Sequence, residues 1–438
     1  MHGSRLVPLA ATSCIIVIGV LEGCGSSGPQ PAFNASTALP QTRASMWTET
    51  VLYSFAGGSD GANPSGRLVS DSTGALYGLT VNGGASNLGT AYKLTRAGSV
   101  FTESVLLAFD GSPDGANPDG PLTIDSHGNL YGTTAIGGLM DGSTNGTVFE
   151  LSPSGSSYAE SVLHSFGNPP DGHNPEWGVL RDATGALYGT APYGGAYNKG
   201  MAFKLTPTDS FYSESVLHSF KGGADDGETP WSGLIEDSSG NLYGTASAGG
   251  PKGNGAIFKL APSGKSYTET LIGTFAQSKT VGSSPLGSLI AGSSGILYGA
   301  TVAGGPDKGQ GTIFALTPKG SGSYSQSVLY TFKGGSDGSI PQGPLLMDTR
   351  GNLYGATLFG GGATACSNGC GTIYELTQSG SQYREKILYA FQGGPGGFHP
   401  VPGLIAGPGG SLYGATSFGG KTCSSSSGTC GVVFQLSR

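Results

Sequence analysis

The chain has 438 residues, with 21 Lys and Arg against 28 Asp and Glu, a formal net charge of -7 and only 11% charged residues. No basic run or stripe is present to hold a phosphate backbone, so nucleic acid is not an expected partner. The 81 glycines recur at fixed places beside Leu, Tyr, Phe and Val, which marks turns in a packed fold and not a flexible tract.

The first elements are an address. Arg5 precedes an apolar run from Leu6 to Leu21, followed by Leu21-Glu22-Gly23-Cys24. This pattern is similar to a bacterial lipoprotein signal, so residues 1–23 are read as a signal peptide and Cys24 as the lipidated mature N-terminus. Residues 24–46, rich in Ser, Pro, Ala and Gln, are read as a flexible tether. The protein is therefore expected outside the cytoplasm, on the bacterial envelope or cell surface, joined to a membrane by lipid.

From residue 47 the chain repeats. Gly-x-Leu-Tyr-Gly occurs seven times, with tyrosines at 77, 131, 188, 243, 298, 354 and 413, spaced 54, 57, 55, 55, 56 and 59 residues apart. A period of this size with β-type residues in each unit predicts an all-β propeller. Each unit offers four β segments between clusters of Gly, Pro, Asp and Ser. In the fourth unit these are Ser232 to Glu236, Asn241 to Ala246, Ala256 to Leu260 and Tyr267 to Phe275. Five units place Asp three residues before the turn glycine, at Asp71, Asp125, Asp182, Asp237 and Asp348. There a carboxylate can accept bonds from turn amides. Units five and seven carry Gly292 and Gly407 instead.

The repeats begin on a fourth-type segment, 47–55, and end on a third-type segment, Gly431 to Leu436. That offset predicts a seven-bladed propeller over 47–438 in which the first segment completes the last blade and removes two free sheet edges. The Gly-Asn-Leu-Tyr-Gly strands, the Gly-Gly pairs and Gly-Thr-Val-Phe-Glu-Leu-Ser-Pro at 146–153 resemble the bacterial GloVer tandem repeat of proteins described as having a choice of anchor. The resemblance implies export and surface attachment, and carries no activity with it.

Ligands are expected on the face formed by the loops between blades and the loops from second to third segment. The inter-blade loops repeat Asp-Gly-x-Asn-Pro in variants, and their Asp60, Asp114, Asp171, Asp226 and Asp337 are either turn formers or a calcium-binding rim. The residue after the loop proline varies: Ser65, Asp119, Glu176, Trp231, Leu286, Gln342 and Val401. Scaffold demands are shared by all blades, so this variation points to an off-centre ligand at the channel mouth. Asp119, Glu176, Trp177, Trp231 and Gln342 are the candidate contacts, extended by Tyr193, Phe359 and Phe418 before the Gly-Gly turns. His164 and His218, inside strands, read as structural. No cofactor motif is present, since the Gly-Gly turns lack the following helix a dinucleotide loop needs.

Cys366, Cys370, Cys423 and Cys430 occur only in the loops of the last two units. In an exported chain they are expected to staple those loops as Cys366–Cys370 and Cys423–Cys430. Together these features predict a monomeric, non-enzymatic scaffold that binds a glycan, a peptide or an envelope protein. The alternative is a polysaccharide hydrolase or lyase using Asp119 and Glu176.

Overall fold

The computed structural model describes residues 47–438 except 99, 139–144, 210, 265, 277, 307–308, 321, 381 and 422–428. The signal peptide, Cys24, the tether and Cys423 lie outside the described residues. Seven antiparallel sheets form the blades of a β-propeller. In the first blade the strands are Gly61–Ser70, Leu76–Gly83, Thr90–Ala97 and Val100–Ala108, in that order from the centre outward. The last blade is completed by Thr48–Ser54, which pairs antiparallel with Val432–Ser437 in the register Thr48↔Ser437 to Ser54↔Val432. Closure by the first segment is as the repeat offset predicts. No helix among the described residues is long and apolar enough to cross a membrane.

The organising motif is explained by one side chain. Asp237 Oδ1 accepts the amides of Ser239 and Asn241 at 2.8 and 3.0 Å, while Oδ2 accepts Asn241 Nδ2 and the Tyr243 hydroxyl, each at 2.8 Å. The aspartate thus closes the hairpin and fastens the repeated tyrosine at once. Asp71, Asp125, Asp182 and Asp348 do the same. Burial alone would raise these carboxylates, but the donated hydrogen bonds outweigh it and hold all five below the usual range.

The core lies between blades. Each fourth strand ends on a phenylalanine with no solvent exposure, and its ring meets an aromatic ring on the third strand of the next blade. Phe220 meets Phe258 at 4.9 Å, and Phe55 of the last blade meets Tyr92 of the first at 5.0 Å, so the contact passes through the closure. Such stacking buries both faces of each blade, which is why no blade is amphipathic. Beneath the Phe258 ring lies Gly244, where an added Cβ would come within 2.5 Å of Cζ. This accounts for the last glycine of Gly-x-Leu-Tyr-Gly.

A second sevenfold device brackets the blades. The residue before each loop proline has positive φ, from 51° at Asn117 to 60° at Asn174, and includes Thr229, Ser284, Ile340 and His399. Its amide bonds a carbonyl of the preceding blade, as from Asn117 to Leu88 at 2.8 Å and from Asn63 across the closure to Cys430 at 2.8 Å. The prolines then seat against glycines of that blade; a Cβ on Gly255 would lie 2.4 Å from Pro285 Cδ. Where asparagine is present, its side chain adds a bond, such as Asn63 Nδ2 to the Ser417 carbonyl at 2.9 Å. Asparagine adopts this backbone region most readily of the non-glycine residues, which explains its preference in Asp-Gly-x-Asn-Pro.

Strand boundaries differ from expectation mainly at the centre. In the fourth blade only Ile235–Glu236 of the predicted first segment pairs with the second strand, while Gly227–Glu228 pairs with Ala248–Gly249. The innermost strand is interrupted because its middle turns toward the axis. In the second blade Pro118 pairs with Thr134 and Thr123 with Tyr131, leaving residues 119–122 opposite only 132–133.

Candidate functional site

That interruption positions the variable residues. Asp119 and Glu176 stand part-way along the innermost strands, at the start of the bulged segments, and not at loop tips. Neighbouring bulges touch: a Cβ on Gly120 would lie 2.2 Å from the Glu176 carbonyl oxygen, and one on Gly66 would lie 2.1 Å from that of Gly120. Three consecutive blades therefore present Ser65, Asp119 and Glu176 side by side. Asp119 Oδ1 accepts the Gly120 amide at 2.8 Å.

These two are the acids of the variable column. Both side chains are enclosed by protein yet keep partial solvent exposure along the channel. Burial pushes Asp119 upward, opposed by bonds from the Gly120 amide and Ser65. Burial pushes Glu176 further up, and the Asp119 charge adds to it. Each charge opposes the other, and the larger upward shift falls on Glu176. Arg67, in the bulge of the first blade, is also half-buried, and its Nε has no hydrogen-bond partner. Burial pushes its guanidinium down from the ordinary value. Arg67 was not among the sequence candidates; it sits two residues beyond the variable column, where alignment of the repeats on the proline would have found it.

The aromatic candidates separate. Trp231 is 9% exposed and packs with Leu286 and Val302, with Trp177 partly buried against them. Trp231 is thus part of a small apolar cluster and not an open platform. Tyr193 stacks on His173 at 5.4 Å, in the third blade. Phe359 and Phe418 pack around His399 at 4.9 and 5.7 Å, in the sixth and seventh blades. Gln342 lines the opposite arc of the ring and pairs within its own sheet with Ala356.

The loop aspartates are placed singly, one per junction. Asp60 accepts the Ala56 and Gly61 amides and the Tyr53 hydroxyl. Asp171 accepts the Gly167 and Gly172 amides, Asp226 those of Lys221 and Gly227, and Asp337 that of Lys333. Asp114 is raised by burial and by Asp110 beside it. Each shapes its own loop, and the five do not converge on a common calcium position. Cys366 and Cys370 form a disulfide with S–S 1.99 Å. Cys430 is buried, and its predicted partner Cys423 lies outside the described residues.

A model of the Gloeobacter/Verrucomicrobia repeat matches residues 41–159 and 140–366. The chain belongs to this family. The matched Gloeobacter/Verrucomicrobia repeats span most of the ring, and the residue after the loop proline differs from copy to copy. No curated protein matches the sequence. Among solved structures it is similar to a polysaccharide lyase, an ulvan lyase bound to -[GlcA(1-4)Rha3S]-, at 9% identity over 85% of this chain and 90% of that one, with a TM-score of 0.52. It is also similar to an oxidoreductase (glucose dehydrogenase) from Thermus thermophilus, at 14% identity over 89% of this chain and 100% of that one, TM-score 0.46. A protein from Lactobacillus plantarum matches at 12% identity over 76% of this chain and 85% of that one, TM-score 0.49. At such identities the likeness is one of fold.

Proposed function

We propose that the protein is an exported propeller that binds a glycan in its channel, with Asp119 and Glu176 as the polar contacts and the exposed part of Trp177 as an apolar wall. What carries this reading is the break in sevenfold symmetry: scaffold roles repeat in every blade, whereas the column after the loop proline holds an acid at two positions, Asp119 and Glu176, in neighbouring blades. Carboxyl groups raised by burial can accept hydrogen bonds from sugar hydroxyls and, when protonated, donate to them. The stronger upward push on Glu176 also favours a second reading, a polysaccharide hydrolase or lyase with Glu176 as acid and Asp119 as base.

One experiment separates them. The purified chain is screened against an oligosaccharide panel for thermal stabilisation and for released products. Stabilisation without products, abolished by Glu176→Gln, supports the binding protein, and product formation abolished by the same change supports the enzyme. Neither signal with any glycan would sink both readings.

We further propose that Cys24 carries a lipid that holds the ring at the envelope, a reading supported by the apolar run before it. Cys24→Ser is then expected to move the protein from the membrane fraction to the soluble exported fraction. Unchanged membrane retention would reject the anchor.

A further inference from the structure

A second sevenfold column lies at the outer edge of the ring and is independent of the channel. At each junction the residue two before the terminal phenylalanine of one blade faces a glutamate, or at one junction a glutamine, on the fourth strand of the next blade. In four junctions the loop aspartate stands between them. The sets are Tyr53, Asp60 and Glu103; His164, Asp171 and Glu214; His218, Asp226 and Glu269; and Tyr330, Asp337 and Glu385. At the sixth junction Tyr389 bonds Glu49 directly at 2.8 Å.

Where tyrosine is present its hydroxyl donates to the aspartate, at 3.0 Å in one case and 2.5 Å in the other, and the set offers oxygen atoms alone. The two histidine junctions differ chemically. His164 Nε2 lies 3.4 Å from Asp171 Oδ2, and His218 Nε2 lies 3.1 Å from Asp226 Oδ1. In each set one nitrogen and two carboxylate oxygens fall within 4.8 Å of one another. His164 Nε2, Glu214 Oε1 and Glu269 Oε1 are all shut off from solvent with no hydrogen-bond partner. Unpaired polar atoms in such a setting are costly; Glu49, Glu103, Glu160 and Glu385 share the unpaired oxygen, but among the described residues it is the two histidine junctions that bring a nitrogen donor into the same group.

We infer that these two junctions are binding sites for divalent transition-metal ions of the zinc class, each held by an imidazole nitrogen and two carboxylate oxygens. Ligand atoms about 2.0–2.2 Å from a tetrahedral ion stand roughly 3.3–3.6 Å apart, so a contraction of at most about 1.5 Å completes either set. The mixed nitrogen and carboxylate donors suit zinc or manganese better than calcium, which takes six to eight oxygens. An ion at the first site ties the second blade to the third through His164 and Glu214, and one at the second ties the third to the fourth. Three protein ligands leave a position for water. The sequence signal was the column itself: histidine in two consecutive repeats where tyrosine stands in three others, and a glutamate or glutamine two residues before each Val-Leu-type pair. Each histidine looked isolated because its second carboxylate arrives from the next blade, 50 or 51 residues later in the chain.

The test uses the chain's own repeats as controls. Chelator-treated full-length protein is titrated with zinc chloride by calorimetry, and with cobalt chloride for its visible absorption. Two ions per chain are expected, one after His164→Tyr, and none after His164→Tyr with His218→Tyr. Tyrosine is native at the matching position of three other junctions, so these variants should keep the wild-type fold, checked by circular dichroism. Glu214→Gln, which copies Gln326 of the fifth blade, should weaken the first site by about tenfold or more. Absence of uptake, uptake unaltered by the double change, or a calcium preference that persists in it would each overturn the assignment.

Discussion

A chain lacking residues 47–55 is expected to lose its cooperative unfolding transition and to associate. Those residues supply the outer strand of the last blade, so their removal leaves Val432–Ser437 as an unpaired edge, the kind of template that recruits another chain. The segment also carries Trp47 and Phe55, both in the core. Phe55 fills the junction between the last and first blades against Tyr92. Its replacement alone, Phe55→Ala, should cost about 3–5 kcal/mol, the usual effect of emptying an aromatic site in a packed interior. The closure junction is built like the other six, so Phe220→Ala should cost a comparable amount. Denaturant unfolding of the three variants, with size-exclusion chromatography of the truncated chain, provides the check. A truncated monomer with an unchanged midpoint would show that the ring does not depend on its closing strand.

Stability is expected to fall between pH 5 and pH 8, the reverse of what a mildly acidic protein held by ion pairs would do. Glu49, Glu103, Glu160 and Glu385 lie half-buried between fourth strands, each with one oxygen lacking a partner. Burial pushes each carboxyl up to about 7, with the charge of a nearby aspartate adding to the effect at Glu103, Glu160 and Glu385. A carboxyl raised on folding binds its proton more tightly in the folded state. Its contribution is therefore complete below the unfolded value near 4.3 and is lost as pH rises through about 7. Solvent reaches these groups, so about 0.5 kcal/mol each survives screening, or roughly 2 kcal/mol for the four. The midpoint should drop by about 2–3 °C. The turn aspartates act in the opposite sense: their depressed values add stability above the ordinary carboxylate range, lost as pH falls through the folded value. The two sets place the optimum near pH 5. Scanning calorimetry from pH 4 to 8.5 reads it directly, and Glu103→Gln should flatten the slope. A midpoint that is level or rises from pH 5 to 8 would contradict the burial argument.

How much was legible depended on whether partners were near in sequence. The Asp237 turn was readable because its donors, Ser239, Asn241 and Tyr243, lie within six residues, and local geometry sets which atoms meet. Blade number and closure were readable from period and phase, which are properties of the string. The packing of Trp231 on Leu286 was not, because it depends on how far the fifth blade's bulge leans toward the fourth. Nor was the convergence of His164 with Glu214, since no spacing within one repeat unit reports the distance between outer strands of two.

By itself, then, the order of residues determined that seven like units would form, what turns each would use, and where the chain would join itself. Side-chain period and turn chemistry act over a few bonds and tolerate no other arrangement. Only the tertiary structure decided which variable positions share an environment. Stacking blades around an axis brings residues more than 40 positions apart into one dielectric, and the altered ionisation of Asp119, Glu176 and the outer glutamates arises there.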